Sequence, residues 1–236
     1  MKRFLLILFV FGLSYSASAQ LFRKERLSNM ENFDKRRYTW GYFLGFNSLD
    51  FKFRYDQDRN DVSNTDVQVE SQVGFNVGLI GDLRINNYIN LRLEPGMVFA
   101  QRNLRFPGFA EERDELREVK STYIHIPLLV KFSTKRMNNF KPFIIGGVST
   151  SINLSSNESN PQDNSAGQFR MTSSTYYYEM GIGVDLYLYY FKFTPSIRGV
   201  FAMSDELVPD VDPNSPWTGN IASMATRGIF INFTFQ

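Results

Sequence analysis

The chain is predicted to be all-β, an eight-stranded antiparallel up-and-down transmembrane β-barrel with short periplasmic turns and long external loops. Three observations predict it. Eight stretches alternate apolar and polar residues with period two, as half-buried strands do. The gaps between them are alternately short and long, and small outer-membrane barrels have short turns at one end and long loops at the other. The last stretch, residues 226–236, alternates to within one residue of the C-terminus, which is how such barrels end.

The first element is not a strand. Lys2 and Arg3 precede an apolar run from Phe4 to Leu13, and Ala17-Ser18-Ala19 supplies the small residues of a cleavage site. Residues 1–19 therefore read as a secretory signal peptide, with Gln20 as the mature N-terminus. The run is shorter than the ~20 apolar residues of a spanning helix. Residues 20–37 form a basic segment, expected to be a periplasmic tail, and residues 38–236 the outer-membrane barrel. The chain has no cysteine, which excludes a lipidated N-terminal Cys and any disulfide. Anchoring therefore falls to the barrel.

The strands follow at about 41–55, 71–85, 88–104, 119–133, 140–154, 174–188, 189–202 and 225–235. The even number fits a closed bacterial barrel. The sixth is the clearest: Tyr176, Tyr178, Met180, Ile182, Val184 and Leu186 fall on one face, and Tyr177, Glu179, Gly181, Gly183, Asp185 and Tyr187 on the other. In the seventh, Phe191, Phe193, Pro195, Ile197 and Phe201 oppose Lys192, Thr194, Ser196 and Arg198, and in the third Ile89, Leu91 and Leu93 oppose Asn90, Arg92 and Glu94. In the last, Thr226, Gly228, Ile231 and Phe233 have the spacing of a C-terminal barrel-assembly signal. One short helix is expected near Glu111 to Val119.

Short connections fall at Asn86-Asn87, at 134–139 and at Leu188-Tyr189. The long ones are acidic: basic against acidic residues number one to five in 56–70, two to five in 107–118, one to two in 155–172 and zero to four in 203–224. The opposite end is basic, with Arg23, Lys24, Arg26, Lys35, Arg36 and Arg37 in the N-terminal segment and Lys135 and Arg136 in the second turn. Without Lys2 and Arg3 the mature chain has 24 basic and 24 acidic residues, so its neutrality offers no support for nucleic-acid binding. An aromatic content of 16% with a negative mean hydropathy suits strands with one greasy and one polar face.

A soluble eight-stranded lipocalin-like barrel turns its apolar residues inward. Here charges and glycines share one face and the opposite face is almost purely aliphatic and aromatic, which inverts that arrangement. The charged face is assigned to the lumen, giving a network of Arg92, Glu94, Arg102, His125, Lys131, Glu179, Asp185, Lys192 and Arg198. An eight-stranded interior is just wide enough for side chains to fill it. Charges of both signs there are expected to form a hydrogen-bonded plug, because an unpaired buried ion costs several kcal/mol or so. A gated ion path is the other reading of the same residues.

Little points to catalysis. One histidine and no cysteine leave no familiar metal-ligand set, no Gly-x-Ser-x-Gly elbow occurs, and no cofactor is implied. His125 shares a face with Tyr123 and Lys131, where a luminal hydrogen bond explains it. Gly181-Ile182-Gly183 lies within a strand and is expected to serve close packing.

Several segments resemble the PorT (SprT) family of small outer-membrane barrels. They are Leu93-Glu94-Pro95-Gly96, the strand Tyr123-Ile124-His125-Ile126-Pro127-Leu128-Leu129-Val130-Lys131-Phe132, the following Lys141-Pro142-Phe143-Ile144-Ile145-Gly146-Gly147, and the N-terminal stretch from Asn32 to Asn47. The resemblance implies a component of the type IX secretion system of Bacteroidetes, which in gliding bacteria also exports surface adhesins. It supplies no catalytic or binding residues. Because a filled eight-stranded lumen is no conduit for protein, the expected role is accessory. The barrel would dock to, or support, a larger translocon barrel, with outer-membrane lipid as its other partner. Lys35, Arg36 and Arg37 are the candidate contacts for an acidic periplasmic partner. A passive structural or adhesive barrel and an outer-membrane lipid-modifying enzyme are the alternatives.

Overall fold

The computed structural model describes residues 28–56, 66–107, 109, 111–160, 167, 169–212 and 214–236. The expected signal peptide and residues 20–27 of the basic segment lie outside the described residues. Ten hydrogen-bonded strands occur among the described residues: β1 (Tyr38–Tyr55), β2 (Gln68–Ser71), β3 (Val73–Arg84), β4 (Ile89–Leu93), β5 (Gly96–Arg105), β6 (Leu116–Ser133), β7 (Phe140–Asn153), β8 (Ser174–Tyr187), β9 (Lys192–Ala202) and β10 (Ile221–Phe235). All pairings are antiparallel, and β1 pairs with β10 on one side and with β3 on the other. That double pairing closes the sheet into a barrel and leaves no long free edge.

Ten strands make eight staves. β4 and β5 keep one register against their neighbours, since Leu93 faces Leu128 and Gly96 faces His125 of β6. They are a single stave whose ladder lapses at Pro95, which has no N–H to donate. β2 and β3 differ: Val69 pairs with Leu104 but Phe75 with Phe99, a one-residue shift. Gln72 marks this β-bulge, its amide donating to the Gln101 carbonyl at 3.1 Å. The bulge reverses which side chains point inward, so Val67 enters the interior although odd-numbered Val73 and Phe75 of β3 face out.

Strand boundaries depart from expectation by up to four residues: β1 begins at Tyr38 and not at 41, and β10 at Ile221 and not at 225. The segment near Glu111 to Val119 is helical only over α1 (Glu112–Glu115), and β6 already begins at Leu116. Residues 188–191 form a turn closed by Leu188 N–H donating to Phe191 O at 3.0 Å, so β9 starts at Lys192 and not at Tyr189. Tyr189 and Tyr190 have strand-favouring side chains, yet they stand 80% and 94% exposed at the barrel rim.

The wall is two-faced. Leu44, Phe46, Leu79, Ile144, Met180, Ile182, Ile197 and Ile231 are among the large apolar side chains exposed on its outside. The interior is layered rather than uniformly polar. Its turn half holds most of the buried charges, its middle is an apolar layer of Leu49, Val98, Ala100, Tyr123, Tyr177, Val200 and Phe230, and its loop half is a larger apolar core including Phe51, Leu104, Phe106, Met171, Leu207 and Met224, with Arg102 and Glu206 buried among it. The luminal face thus carries charge and glycine together with apolar layers toward the loops. Inward positions near the loops are apolar because the loops fold over them and exclude water. Phe109 stacks on Trp217 at 5.2 Å, and the Trp217 indole N–H donates to Asp114 O at 3.0 Å.

Gly183 shows how tightly the turn half is filled. A Cβ there would lie 2.5 Å from Cζ of Phe143 and 2.8 Å from the Pro195 carbonyl. The Phe143 ring occupies that space, with Lys131 Nζ 4.0 Å from its centroid. Gly183→Val is therefore expected to destabilise the barrel by about 1–3 kcal/mol, read as a lower urea midpoint at unchanged m-value for protein folded in detergent.

Candidate functional site

Alternation along β4, β6, β8 and β9 aims a set of charged side chains into one layer of the lumen. Lys131 Nζ lies 2.6 Å from Asp185 Oδ2, whose Oδ1 accepts from the Thr194 hydroxyl at 2.8 Å. Arg92 holds Asp82 through Nη2 at 2.9 Å and Nε at 3.0 Å, and reaches Glu94 Oε1 at 3.4 Å. Arg198 bridges two carboxylates, with Nη1 at 2.7 Å from Glu94 Oε2 and Nε at 2.7 Å from Glu179 Oε2. Glu179 Oε1 then meets His125 Nε2 at 2.8 Å, and His125 Nδ1 meets Ser151 Oγ at 2.6 Å. Lys192 sits over the Phe33 ring at 4.6 Å. Asp82, Glu94, Glu179 and Asp185 balance Arg92, Lys131, Lys192 and Arg198, so these acidic and basic groups cancel in charge while all are buried. This is the condition under which buried ions are tolerated.

Arg102 stands apart from the other luminal charges. It lies in the loop half, where its guanidinium packs 3.8 Å over Phe51, donates to Thr226 Oγ1 at 3.1 Å and Ser121 Oγ at 3.3 Å, and bonds the Tyr123 hydroxyl. Glu206, from the loop between β9 and β10, completes the group. Its Oε2 accepts from the Thr226 hydroxyl at 2.7 Å and its Oε1 from the Thr226 amide at 3.3 Å. Burial lifts the Glu206 carboxyl above the ordinary glutamate value, against the opposing pull of the Thr226 hydroxyl and the Arg102 charge.

Ser151, His125 and Glu179 together have the composition of a nucleophile, a base and an orienting acid. A carboxylate can only accept, so Nε2 donates to Glu179 and Nδ1 is left for the Ser151 hydroxyl. All three are buried, and the cavity beside His125 and Ser151 measures about 10 Å³. That is the room of one water molecule. The trio forms a buried hydrogen-bonded chain across β6, β7 and β8.

Residues 28–37, the described part of the segment expected to be a periplasmic tail, are folded against the turn end of the barrel. A 3-10 turn (Phe33–Lys35) places Phe33 in the mouth of the lumen, edge-on to Tyr187 at 6.2 Å. Asp34 Oδ1 accepts from the Tyr187 hydroxyl at 2.6 Å, and the Asp34 carbonyl accepts from Arg84 at 2.6 Å. Asn29 donates to Tyr187 O at 3.0 Å, and Arg136 reaches back to the carbonyls of Asn29 and Met30. The apolar ring seals the opening because the residues on either side of it bond to turns on opposite walls. Lys35, Arg36 and Arg37 remain exposed on the outside of this cap.

The C-terminal strand divides its residues between the faces. Thr226 and Gly228 point inward, where a Cβ on Gly228 would lie 2.4 Å from Leu49 Cδ2, whereas Ile231 and Phe233 are on the outer wall, Phe233 stacked on Phe193 at 6.1 Å. Sequence reasoning missed Asp82, Ser151, Asp34 and Glu206. The period of β3, which buries Asn76, Ile80 and Asp82, carried the signal for Asp82. Asp34 and Glu206 lie outside strands and had no periodic signal.

Two outcomes test this account. Arg198→Ala strands two buried carboxylates and is expected to cost about 3–5 kcal/mol, while the triple change Arg198→Met, Glu94→Gln, Glu179→Gln costs less, measured by urea unfolding in detergent. A raised folded-state pKa means that the stability Glu206 contributes is full below its ordinary value of 4.5 and is lost as pH rises through the raised value. Stability of the native barrel is therefore expected to fall relative to Glu206→Gln as pH rises above the ordinary glutamate value of 4.5, in parallel urea titrations.

Residues 18–208 match the model of a family described as outer membrane protein beta-barrel domain. No curated protein matches the chain. Among solved structures, it is similar to Neisserial surface protein A at 9% identity, covering 84% of this chain and 98% of that one with a TM-score of 0.46. It is similar to OprG from Pseudomonas aeruginosa at 15% identity, covering 83% and 94% with a TM-score of 0.45. It is also similar to the attachment invasion locus protein Ail of Yersinia pestis at 10% identity, covering 83% and 96% with a TM-score of 0.38. The family match spans most of the chain, and with the closed barrel and its greasy outer wall it makes this protein a member of the outer membrane protein β-barrel domain family.

Proposed function

We propose that this barrel is a non-enzymatic accessory component of type IX protein secretion, docking to or supporting a larger translocon. The observation that carries the accessory reading is the blocked lumen. It is filled by the neutral charge layer, closed by Phe33 and its neighbours at the turn end and roofed by the loop core at the other. Such a barrel acts through its surfaces. The secretion assignment rests on the resemblance of residues 32–47, 93–96, 123–132 and 141–147 to the PorT family.

In this reading residues 1–19 are a cleaved signal peptide and both termini face the periplasm. Thr226, Gly228, Ile231 and Phe233 form the assembly signal, and Lys35, Arg36 and Arg37 contact an acidic partner. The cap supports this use of the basic trio, because it holds the three cations against a rigid end instead of on a free chain. Ordering them in advance lowers the entropy cost of binding.

The test is a gentle-detergent purification of the tagged protein from outer membranes, with co-purifying proteins identified by mass. A stoichiometric large barrel is the expected result, and a lone, correctly folded barrel overturns the accessory reading in favour of a passive structural or adhesive one. Reversing Lys35, Arg36 and Arg37 to Glu is expected to weaken the association about tenfold, some 1.4 kcal/mol, and unchanged co-purification and secretion would remove the trio from the interface. The enzymatic alternative draws on Ser151, His125 and Glu179. An active-site serine probe such as a fluorophosphonate is expected to leave the folded protein unlabelled, and labelling abolished by His125→Ala would revive it.

A further inference from the structure

The outer wall changes character over a few rungs where β8, β9, β10 and β1 approach the loop end. Register sets the rungs. Ile182, Ile197, Ile231 and Phe46 form one row; Met180, Gly199, Ile229 and Ser48 the next; Tyr178, Phe201, Arg227 and Asp50 the third. The next outward positions of β1 are Lys52 and Arg54, both exposed, opposite Ala225 and Ser223. Same-face neighbours along a strand are about 6.5–7 Å apart. The wall thus passes from wholly apolar to cationic within roughly 15–20 Å along the strands.

At this transition lies a depression of about 630 Å³, bordered by Lys52, Arg54 and Arg227 on one side and Tyr178, Phe201 and Met203 on the other. Tyr178 and Phe201 stack at 5.1 Å. Two carboxylates are near. Asp50 is held by Arg227 at 2.8 Å, and Asp205 Oδ1 is occupied by the amides of Leu207 at 3.0 Å and Met224 at 2.9 Å. Lys52 and Arg54 form no ion pair among the described residues. Other outward cations near the loop end differ: Arg105 is paired with Glu70 and Glu115, and Lys120 with Glu118. Cations on the wall of a membrane barrel cost about 2–4 kcal/mol at the bilayer midplane and close to nothing at the interface. These residues therefore mark the headgroup level, and the aromatic pair lies where ring side chains collect at that boundary.

We propose that this depression binds a phosphate-bearing lipid of the loop-side leaflet. Lys52 and Arg54 take the phosphate, Arg227 contributes N–H groups beyond those that hold Asp50, and an acyl chain lies down the wall across Phe201, Met180 and Ile229. Charge complementarity selects the headgroup, and continuity with the apolar rows selects a lipid over a soluble anion. The site is independent of any role in secretion.

Native mass spectrometry of the full detergent-purified barrel tests the proposal with three probes: phosphatidic acid, diacylglycerol of the same chains, and inorganic phosphate. Phosphatidic acid is expected to bind at least about tenfold more tightly than either of the others, because only it offers both charge and chain. The double change Lys52→Glu, Arg54→Glu is expected to abolish that preference. Lys52→Arg, Arg54→Lys should keep it, and Arg105→Glu, Lys120→Glu should leave it untouched. Retained heat-modifiable mobility on gels shows that each variant is folded. Equal binding of phosphatidic acid and diacylglycerol, equal loss in the Arg105/Lys120 variant, or competition by inorganic phosphate at similar concentration would each overturn it.

Discussion

Every backbone N–H and C=O that crosses a bilayer must find a partner within the protein, and the remaining architecture follows from meeting that demand with strands. β1 carries the burden of closure, giving one side to β10 from Tyr42 to Tyr55 and the other to β3 from Tyr38 to Ser48. With eight staves the enclosed space is only wide enough for side chains. The lumen is then a core to be packed, and each inward residue is chosen by what its neighbours across the barrel can satisfy.

That packing problem is solved twice, by different means. In the turn half, Asp82, Glu94, Glu179 and Asp185, with Asp34 of the cap, balance Arg92, Lys131, Lys141, Lys192 and Arg198; Arg198 joins Glu94 to Glu179, and Asp185 is shared between Lys131 and Thr194. Charges of this kind add less to stability than apolar side chains of equal volume, yet removing one member exposes the desolvation cost of the rest. In the loop half most large inward residues are apolar and the loops supply the other side of the core, through Phe169, Met171, Leu207 and Trp217. Arg102, within the loop half, is answered by the loop residue Glu206 through Thr226.

With the interior closed, chemistry is left to the surfaces. The turn end shows exposed Lys35, Arg36 and Arg37 on a cap anchored by Phe33 and Asp34. The outer wall near the loop end shows an aromatic pair, Tyr178 and Phe201, beside the exposed cations Lys52 and Arg54. The two surfaces lie at opposite ends of the staves, so the proposed protein contact and the proposed lipid site do not overlap.

Period two in the sequence determined the eight staves and the face of nearly every residue in them. Burial on one side of a closed wall leaves no freedom to slip by one residue. The same alternation placed Arg92, Glu94, His125, Lys131, Glu179, Asp185, Lys192 and Arg198 inside. What it could not determine was anything that breaks the period or crosses the lumen. The lapse at Pro95 and the bulge at Gln72 split two staves, and only the latter reverses the faces. Partner choice within the charge layer depends on which inward residues the closed barrel brings opposite each other, a relation among four or more strands at once. Phe33, Asp34 and Glu206 enter the interior from segments without strand periodicity, so only the tertiary structure shows that the barrel is stoppered at both ends.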